Sequence, residues 1–173
     1  MHIFLTGPRH IGKSTVIQKT ISLLQEGGLR RLAGFLTYWG TTGDSYLYIA
    51  AADPALGHEP CRLAEFKAGS LICHAEVFDQ LGVELLSSAS SAQVICLDEL
   101  GFLEAGSRLF KQKVLSCLKG DVPLFGVLRQ GDIPWHEPIK SHPRVTLYEV
   151  NAYNREQLPC QLAALLHPYI ESG

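Results

Sequence analysis

Apolar positions recur along the chain with two periods, one of about two residues and one of three to four. His2–Thr6 is a short apolar run closed by Gly7, and from Thr15 onward Val16, Ile17, Thr20, Ile21 and Leu24 follow at helical spacing until Gly27-Gly28 ends the pattern. That order predicts a strand, a tight glycine turn and an amphipathic helix. Residues 31–38 and 46–51 are β-rich, and Gly40, Thr41, Thr42, Gly43 and Asp44 between them have the composition of a hairpin connection. Residues 53–69 carry Pro54, Gly57, Pro60 and Gly69 without a clear period, so they are expected to be irregular apart from a short strand at 63–66. Val77, Phe78, Leu81, Leu85 and Leu86 give helical spacing over 76–86, a serine-rich turn follows, and 93–97 reads as a buried strand.

The second half repeats this rhythm. A helix is predicted over 107–118 with Phe110, Val114, Leu115 and Leu118 inward, then strands at 123–128 and 145–150, and a last helix around 159–170. Apolar strands alternating with amphipathic helices predict an α/β fold in which a mostly parallel sheet carries helices on both faces, with an inserted β-hairpin at 39–44. Between them, 129–143 holds Pro134, Trp135, His136, Pro138, His142 and Pro143, a loop long enough to suggest a lid or binding segment.

Composition narrows the function. With 173 residues the chain is expected to form a single domain. Fifteen Lys and Arg against 17 Asp and Glu leave a net charge of −2, so there is no broad positive field to hold nucleic acid, and only a local basic pocket is open to an anion. Apolar runs such as 94–97 and 162–166 are far short of the roughly 20 residues that span a bilayer, and Met1 to Leu5 lack the length of a signal peptide. No membrane or nucleic-acid partner is expected, and nothing points to a protein partner. Five cysteines without a C-x-x-C pair fit neither a zinc site nor a disulfide scaffold; free thiols in a reducing, cytoplasmic setting are the expectation.

Gly7-Pro8-Arg9-His10-Ile11-Gly12-Lys13-Ser14, followed by Thr15, matches G-x-x-x-x-G-K-[ST]. In that pattern the glycines let backbone N–H groups curl toward phosphate oxygens, Lys13 adds a point charge, and Ser14 offers a hydroxyl to Mg²⁺. The helix that begins near Lys13 adds the positive end of its dipole. Chance alone produces such a match in about one chain of this length in a hundred, and here it follows an apolar strand and precedes an amphipathic helix. Val94-Ile95-Cys96-Leu97-Asp98-Glu99 supplies the second half, a buried strand whose carboxyl end carries two carboxylates into the same crevice. Asp98 is expected on the metal side, with Ser14; Glu99 is placed to orient or deprotonate the attacking water. The charge of a triphosphate calls for Mg²⁺ as cofactor.

These landmarks resemble the small stand-alone P-loop nucleoside-triphosphatases, whose animal members are called cancer-related nucleoside-triphosphatase. The resemblance runs from Leu5-Thr6-Gly7-Pro8 and Gly12-Lys13-Ser14 through Gly34-Phe35-Leu36-Thr37 and Asp98-Glu99-Leu100-Gly101, with Glu104 and Phe110, to Asn154-Arg155 before Leu158-Pro159. It implies a three-layer, RecA-like P-loop fold and slow hydrolysis of several nucleoside triphosphates to diphosphate and phosphate, with loose base preference. Lys13 and Ser14 correspond to its phosphate and metal contacts, Asp98 to its metal-side carboxylate and Glu99 to its water-activating residue. The chain departs from the family at Tyr38-Trp39, where glutamates are usual, and at Phe102, where a lysine is usual. Tyr38 and Trp39 read either as strand residues packing a face or as a stacking platform for a base.

A cation on the developing charge accelerates phosphoryl transfer. Arg129, at the end of the 123–128 strand, is the first candidate because such strand ends face the ligand crevice; Lys140 in the proposed lid and Arg9 are others, with Arg9 and His10 expected to point outward. His136 and His142 lack the spacing of a metal pair. Two other readings stay open beside hydrolysis. One is a kinase in which Glu99 takes a proton from an acceptor hydroxyl, with residues 53–69 and the lid framing a second pocket. The other is a nucleotide-binding switch completed by another chain.

Overall fold

Strands covered on both faces read as unbroken apolar runs, and three of them set the centre of this molecule. The computed structural model describes residues 1–41 and 44–171; Thr42 and Gly43 of the expected hairpin connection lie outside the described residues. In chain order the elements are β1 (His2–Thr6), α1 (Lys13–Glu26), β2 (Leu32–Trp39), β3 (Tyr46–Ala51), β4 (Cys61–Lys67), β5 (Ser70–Cys73), the short α2 (Val83–Leu85), β6 (Val94–Leu100), α3 (Arg108–Lys119), β7 (Leu124–Leu128), the short α4 (Glu137–Lys140), β8 (Val145–Glu149), α5 (Leu158–Leu166) and α6 (Pro168–Glu171). One eight-stranded sheet joins the strands in the order β5-β4-β3-β2-β6-β7-β1-β8. The pairs β2–β6, β6–β7, β7–β1 and β1–β8 are parallel, and β2–β3, β3–β4 and β4–β5 are antiparallel.

Side-chain alternation divides the core. Ile3 and Leu5 of β1 face α1, α5 and α6, where Val16, Ile17, Leu24, Leu162, Leu166 and Ile170 close one layer. Phe4 points the other way, toward Phe35, Phe110, Val114 and Leu118. Phe35, Phe78 and Phe110 form a triangle with ring centroids 5.0–6.3 Å apart. Such pairs add roughly 0.5–1.5 kcal/mol each beyond the area they bury. They tie β2 to α3. The first turn of α3 is capped across the chain, where Asp79 Oδ1 accepts the Phe110 N–H at 2.9 Å and Ser107 donates to Ala75 O at 2.7 Å.

Two expectations change, and a third gains a detail. Residues 53–69 are not mostly irregular: β4 spans seven of them, and Ala68 and Gly69, both at positive φ (49° and 79°), turn the chain into β5. Two consecutive left-handed residues match the twist of a tight hairpin, and the inserted hairpin becomes a three-stranded antiparallel extension. The partly exposed β4, whose burial does not alternate strictly, hides the strand period. The helix expected over 76–86 is present: residues 76–85 are helical, with one wide π-turn at Phe78–Gly82 running into α2. Residues 129–143 are no lid: His136 and Ile139 are buried, and the Trp135 Nε1–H donates to Gly101 O at 2.8 Å. Lys140 lies on the exposed side of α4, away from the crevice.

Two histidines are built into this core. His2 Nδ1 accepts the Leu124 N–H at 3.1 Å, and both ring nitrogens of His136 are without a hydrogen bond among the described residues. Burial pulls each pKa down to about 4 from 6.5. Their neutral forms thus contribute stability that is fully present above about pH 6.5 and is lost as the pH falls through about 4. In a histidine ¹H–¹⁵N titration of the folded protein, both rings are expected to remain neutral at pH 5.5 and to protonate near pH 4; protonation near 6.5 would contradict the packing described.

Candidate active site

At the carboxyl end of β1 the chain must turn through residues 7–12 into α1. Gly7 and Gly12 permit this at φ +137° and +106°, and a Cβ on Gly7 would sit 2.6 Å from Val150 O. The Lys13 ammonium folds over the loop and donates to Gly7 O at 3.0 Å and Pro8 O at 2.9 Å. Burial lowers its pKa, against the pull of Glu99 and Asp98. The loop is an anion cradle with its own cation across the mouth.

Strand order brings the second half of the site to this cradle. β7 lies between β1 and β6, so the carboxyl ends of all three open on one edge. Across that edge the Ser14 hydroxyl donates to Asp98 Oδ1 at 3.1 Å. Asp98 is 1% exposed, and burial pushes its pKa up to about 7 despite the hydroxyl. Glu99, one residue on, reaches the solvent side and pairs with Arg129, Oε1 to Nη1 3.3 Å, directly after β7. The Arg129 guanidinium also lies 4.6 Å from the centre of the Phe102 ring.

One cavity of about 650 Å³ unites these groups. Gly7, Arg9, His10, Gly12, Lys13, Ser14, Thr15, Asp98, Glu99 and Arg129 all line it. Arg9 and His10, expected to point outward, are exposed and form its mouth. Pro8 contributes its carbonyl to Lys13, and Ile11 packs into the core under α1. Asn154 pins the turn after β8, accepting the Asn151 N–H at 2.9 Å and donating to Glu149 O at 2.8 Å. Tyr38 stacks on Tyr48 at 5.7 Å, and both Tyr38 and Trp39 line the cavity with nearly half of their surface exposed.

Glu104 also lines the cavity, and sequence reasoning gave it no chemical role. Its carboxylate is 1% exposed and accepts the Gly101 N–H. Burial raises its pKa to about 7, opposed by that donor and by its own N–H. The available signal was a carboxylate in the apolar run Phe102-Leu103-Glu104-Ala105.

This arrangement defines a P-loop α/β protein of the nucleoside-triphosphatase class, with an extra strand between the loop strand and the Asp98 strand. A family model described as NTPase matches residues 2–163, and the chain belongs to that family. It is 33% identical over 171 residues to the nucleoside-triphosphatase THEP1 of Thermofilum pendens, covering 94% of this chain and 93% of that one. It is 28% identical to the cancer-related nucleoside-triphosphatase homolog of Mus musculus, covering 95% and 96%. Its fold is similar to the crystal structure of THEP1 from Aquifex aeolicus, with a TM-score of 0.81 at 23% identity over 96% of this chain and 99% of that one.

The Glu104 contact is testable through stability. Glu104→Ala leaves the buried Gly101 N–H without its acceptor and is expected to cost about 1–3 kcal/mol in urea unfolding. Glu104→Gln keeps an acceptor oxygen. Because the folded pKa is raised, the charged carboxylate costs stability as pH climbs from about 4.5 through 7, so at pH 8 the Gln variant is expected to match or exceed the parent.

Proposed function

We propose that this chain, working as one P-loop domain, hydrolyses nucleoside triphosphates with Mg²⁺ as cofactor, using Lys13, Ser14, Asp98, Glu99 and Arg129. The observation that carries the reading is the Ser14–Asp98 contact at the lip of the Gly7–Gly12 cradle. Two hard oxygen donors meet there, one of them a buried carboxylate that accepts the hydroxyl of the other. That donor set fits a small divalent cation that takes its remaining ligands from water and phosphate. Ser14 and Asp98 would hold it, and when bound it supplies positive charge to the β- and γ-phosphate oxygens.

The chain's own groups do the rest. Backbone N–H groups of the loop and the N-terminus of α1 bind the phosphates, with Gly7, Arg9, His10, Gly12 and Thr15 around them and Pro8 and Ile11 shaping the turn. Lys13 exchanges the Gly7 and Pro8 carbonyls for phosphate oxygens, a better partner for an ammonium. Glu99 orients the attacking water and accepts its proton. Arg129, released from Glu99, balances the negative charge that builds on the transferred group. Loose base preference follows from the family resemblance. The described residues include no helix long and apolar enough to cross a membrane, and all five cysteines are free, which supports a cytoplasmic reading.

Phosphate release by the purified protein tests these roles. Lys13→Ala is expected to abolish detectable nucleoside triphosphate binding. Glu99→Gln is expected to keep binding within about threefold and to cut turnover by roughly 10²–10⁴, and chelation of Mg²⁺ to stop turnover in the parent. A Glu99→Gln variant that turns over like the parent would remove Glu99 from the mechanism.

A further inference from the structure

The cavity has two chemically different ends. Arg9, Lys13 and Arg129 stand at the phosphate end, while the far end, over β2 to β5, is walled by Trp39, Leu47, Leu63, Phe66, Leu71 and Phe78. No lysine or arginine lines that far end among the described residues, and its charged group is the buried Glu104. Trp39 and Phe66 leave 44% and 52% of their surface exposed there, a concave aromatic patch of the kind that marks a ligand site.

Position decides what this chamber is for. The cradle lies on β1, Glu99 on β6, and the chamber over β2 to β5, so Glu99 stands between the two. If Glu99 serves the terminal phosphate, that phosphate faces β6 and the nucleoside runs the opposite way, toward β8. The chamber then opens on the attacking side of the γ-phosphorus.

We propose that the chamber takes a second, uncharged substrate, a nucleoside-like heteroaromatic alcohol, and that the protein transfers the terminal phosphoryl group to its hydroxyl. The proposal rests on the assignment of Glu99 above. The acceptor oxygen forms a bond to the γ-phosphorus as the bond to the bridging oxygen breaks. The electron pair leaves with the nucleoside diphosphate, and the hydroxyl proton goes to the Glu99 carboxylate. Water in the acceptor's place gives hydrolysis. The ring lies against Trp39 and Phe66, and a ring N–H or amino group donates to the Glu104 oxygen not engaged by Gly101. A phosphorylated acceptor is disfavoured because nothing at that end compensates its charge.

The test supplies the full chain with Mg²⁺ and ATP labelled on the γ-phosphate, together with adenosine, guanosine, cytidine, uridine or thymidine in turn. At least one is expected to yield a labelled nucleoside monophosphate at the expense of free phosphate. Leu71→Trp, which fills the chamber from β5, is expected to keep hydrolysis within about twofold and to lower transfer at least tenfold. Phe66→Ala, on an exposed wall, is expected to raise KM for the nucleoside at least fivefold with KM for ATP unchanged. Normal phosphate release without labelled monophosphate from any of the five overturns the proposal. So does competition between the nucleoside and ATP, which would make the chamber the seat of the substrate's own base. Absence of phosphate release together with absence of transfer defeats the hydrolytic reading as well, whereas transfer without release leaves the proposal standing and removes hydrolysis alone.

Discussion

A carboxylate almost sealed from water at the edge of a parallel sheet is the constraint on which this molecule turns. Asp98 is 1% exposed, and it accepts the Ser14 hydroxyl at 3.1 Å. Burial therefore drives its pKa to about 7. An ionised carboxylate in that place needs more positive charge than one hydroxyl provides. The contact also spans β7, since β1 and β6 are not neighbours. Gly126 makes the spacing possible: a Cβ there would lie 2.4 Å from Leu97 O, so β7 can run close beside β6 and bring Arg129 alongside Glu99. Cradle, carboxylates and guanidinium are thus positioned by one set of parallel pairings.

The antiparallel half of the sheet depends on the same frame for a different purpose. β3, β4 and β5 contribute no group to the phosphate end, yet they turn an open edge into a walled cavity. Leu63, fully buried on β4, and Phe35 on β2 join that wall to the same core that holds Phe110 of α3. On the solvent side of this extension Arg62 of β4 lies over the Tyr46 ring of β3 at 4.0 Å, which covers an aromatic face without closing the cavity. A rigid wall with exposed rings is better suited to select a ligand than a mobile loop would be.

What was legible in the sequence was local. Gly7 to Ser14 encodes a loop whose conformation is set within eight residues, and residues 94–99 announce a buried strand that ends in charge. Arg129 could be placed because a strand end in a parallel sheet has one side to face. The misses share one cause: structure supplied by distant partners. β4 alternates weakly in sequence because its outer face meets solvent, and the hydrogen bonds that make it a strand come from β3 and β5. Residues 129–143 look like a lid because of their prolines. Trp135 nevertheless reaches 34 residues back to Gly101, which no periodicity encodes. Glu104 stood out as a carboxylate in an apolar run, but its place in the site did not, since only the turn through Gly101 brings its carboxylate to the cavity.

Arg129 shows how the departures from the family pattern alter the chemistry. It touches Glu99 at 3.3 Å and the Phe102 ring at 4.6 Å, with 36% of its side chain exposed. A half-exposed ion pair and a cation–π contact are each worth no more than about 1 kcal/mol. Such weak restraints aim the guanidinium without trapping it, so an arriving polyanion can draw it away at little cost. A lysine at position 102 would place a second cation beside it and raise the potential over the whole cavity. With phenylalanine there, positive charge is confined to the phosphate end, and the far end stays neutral apart from Glu104. An arginine held directly after β7 also weighs against the switch reading, in which another chain must supply the charge.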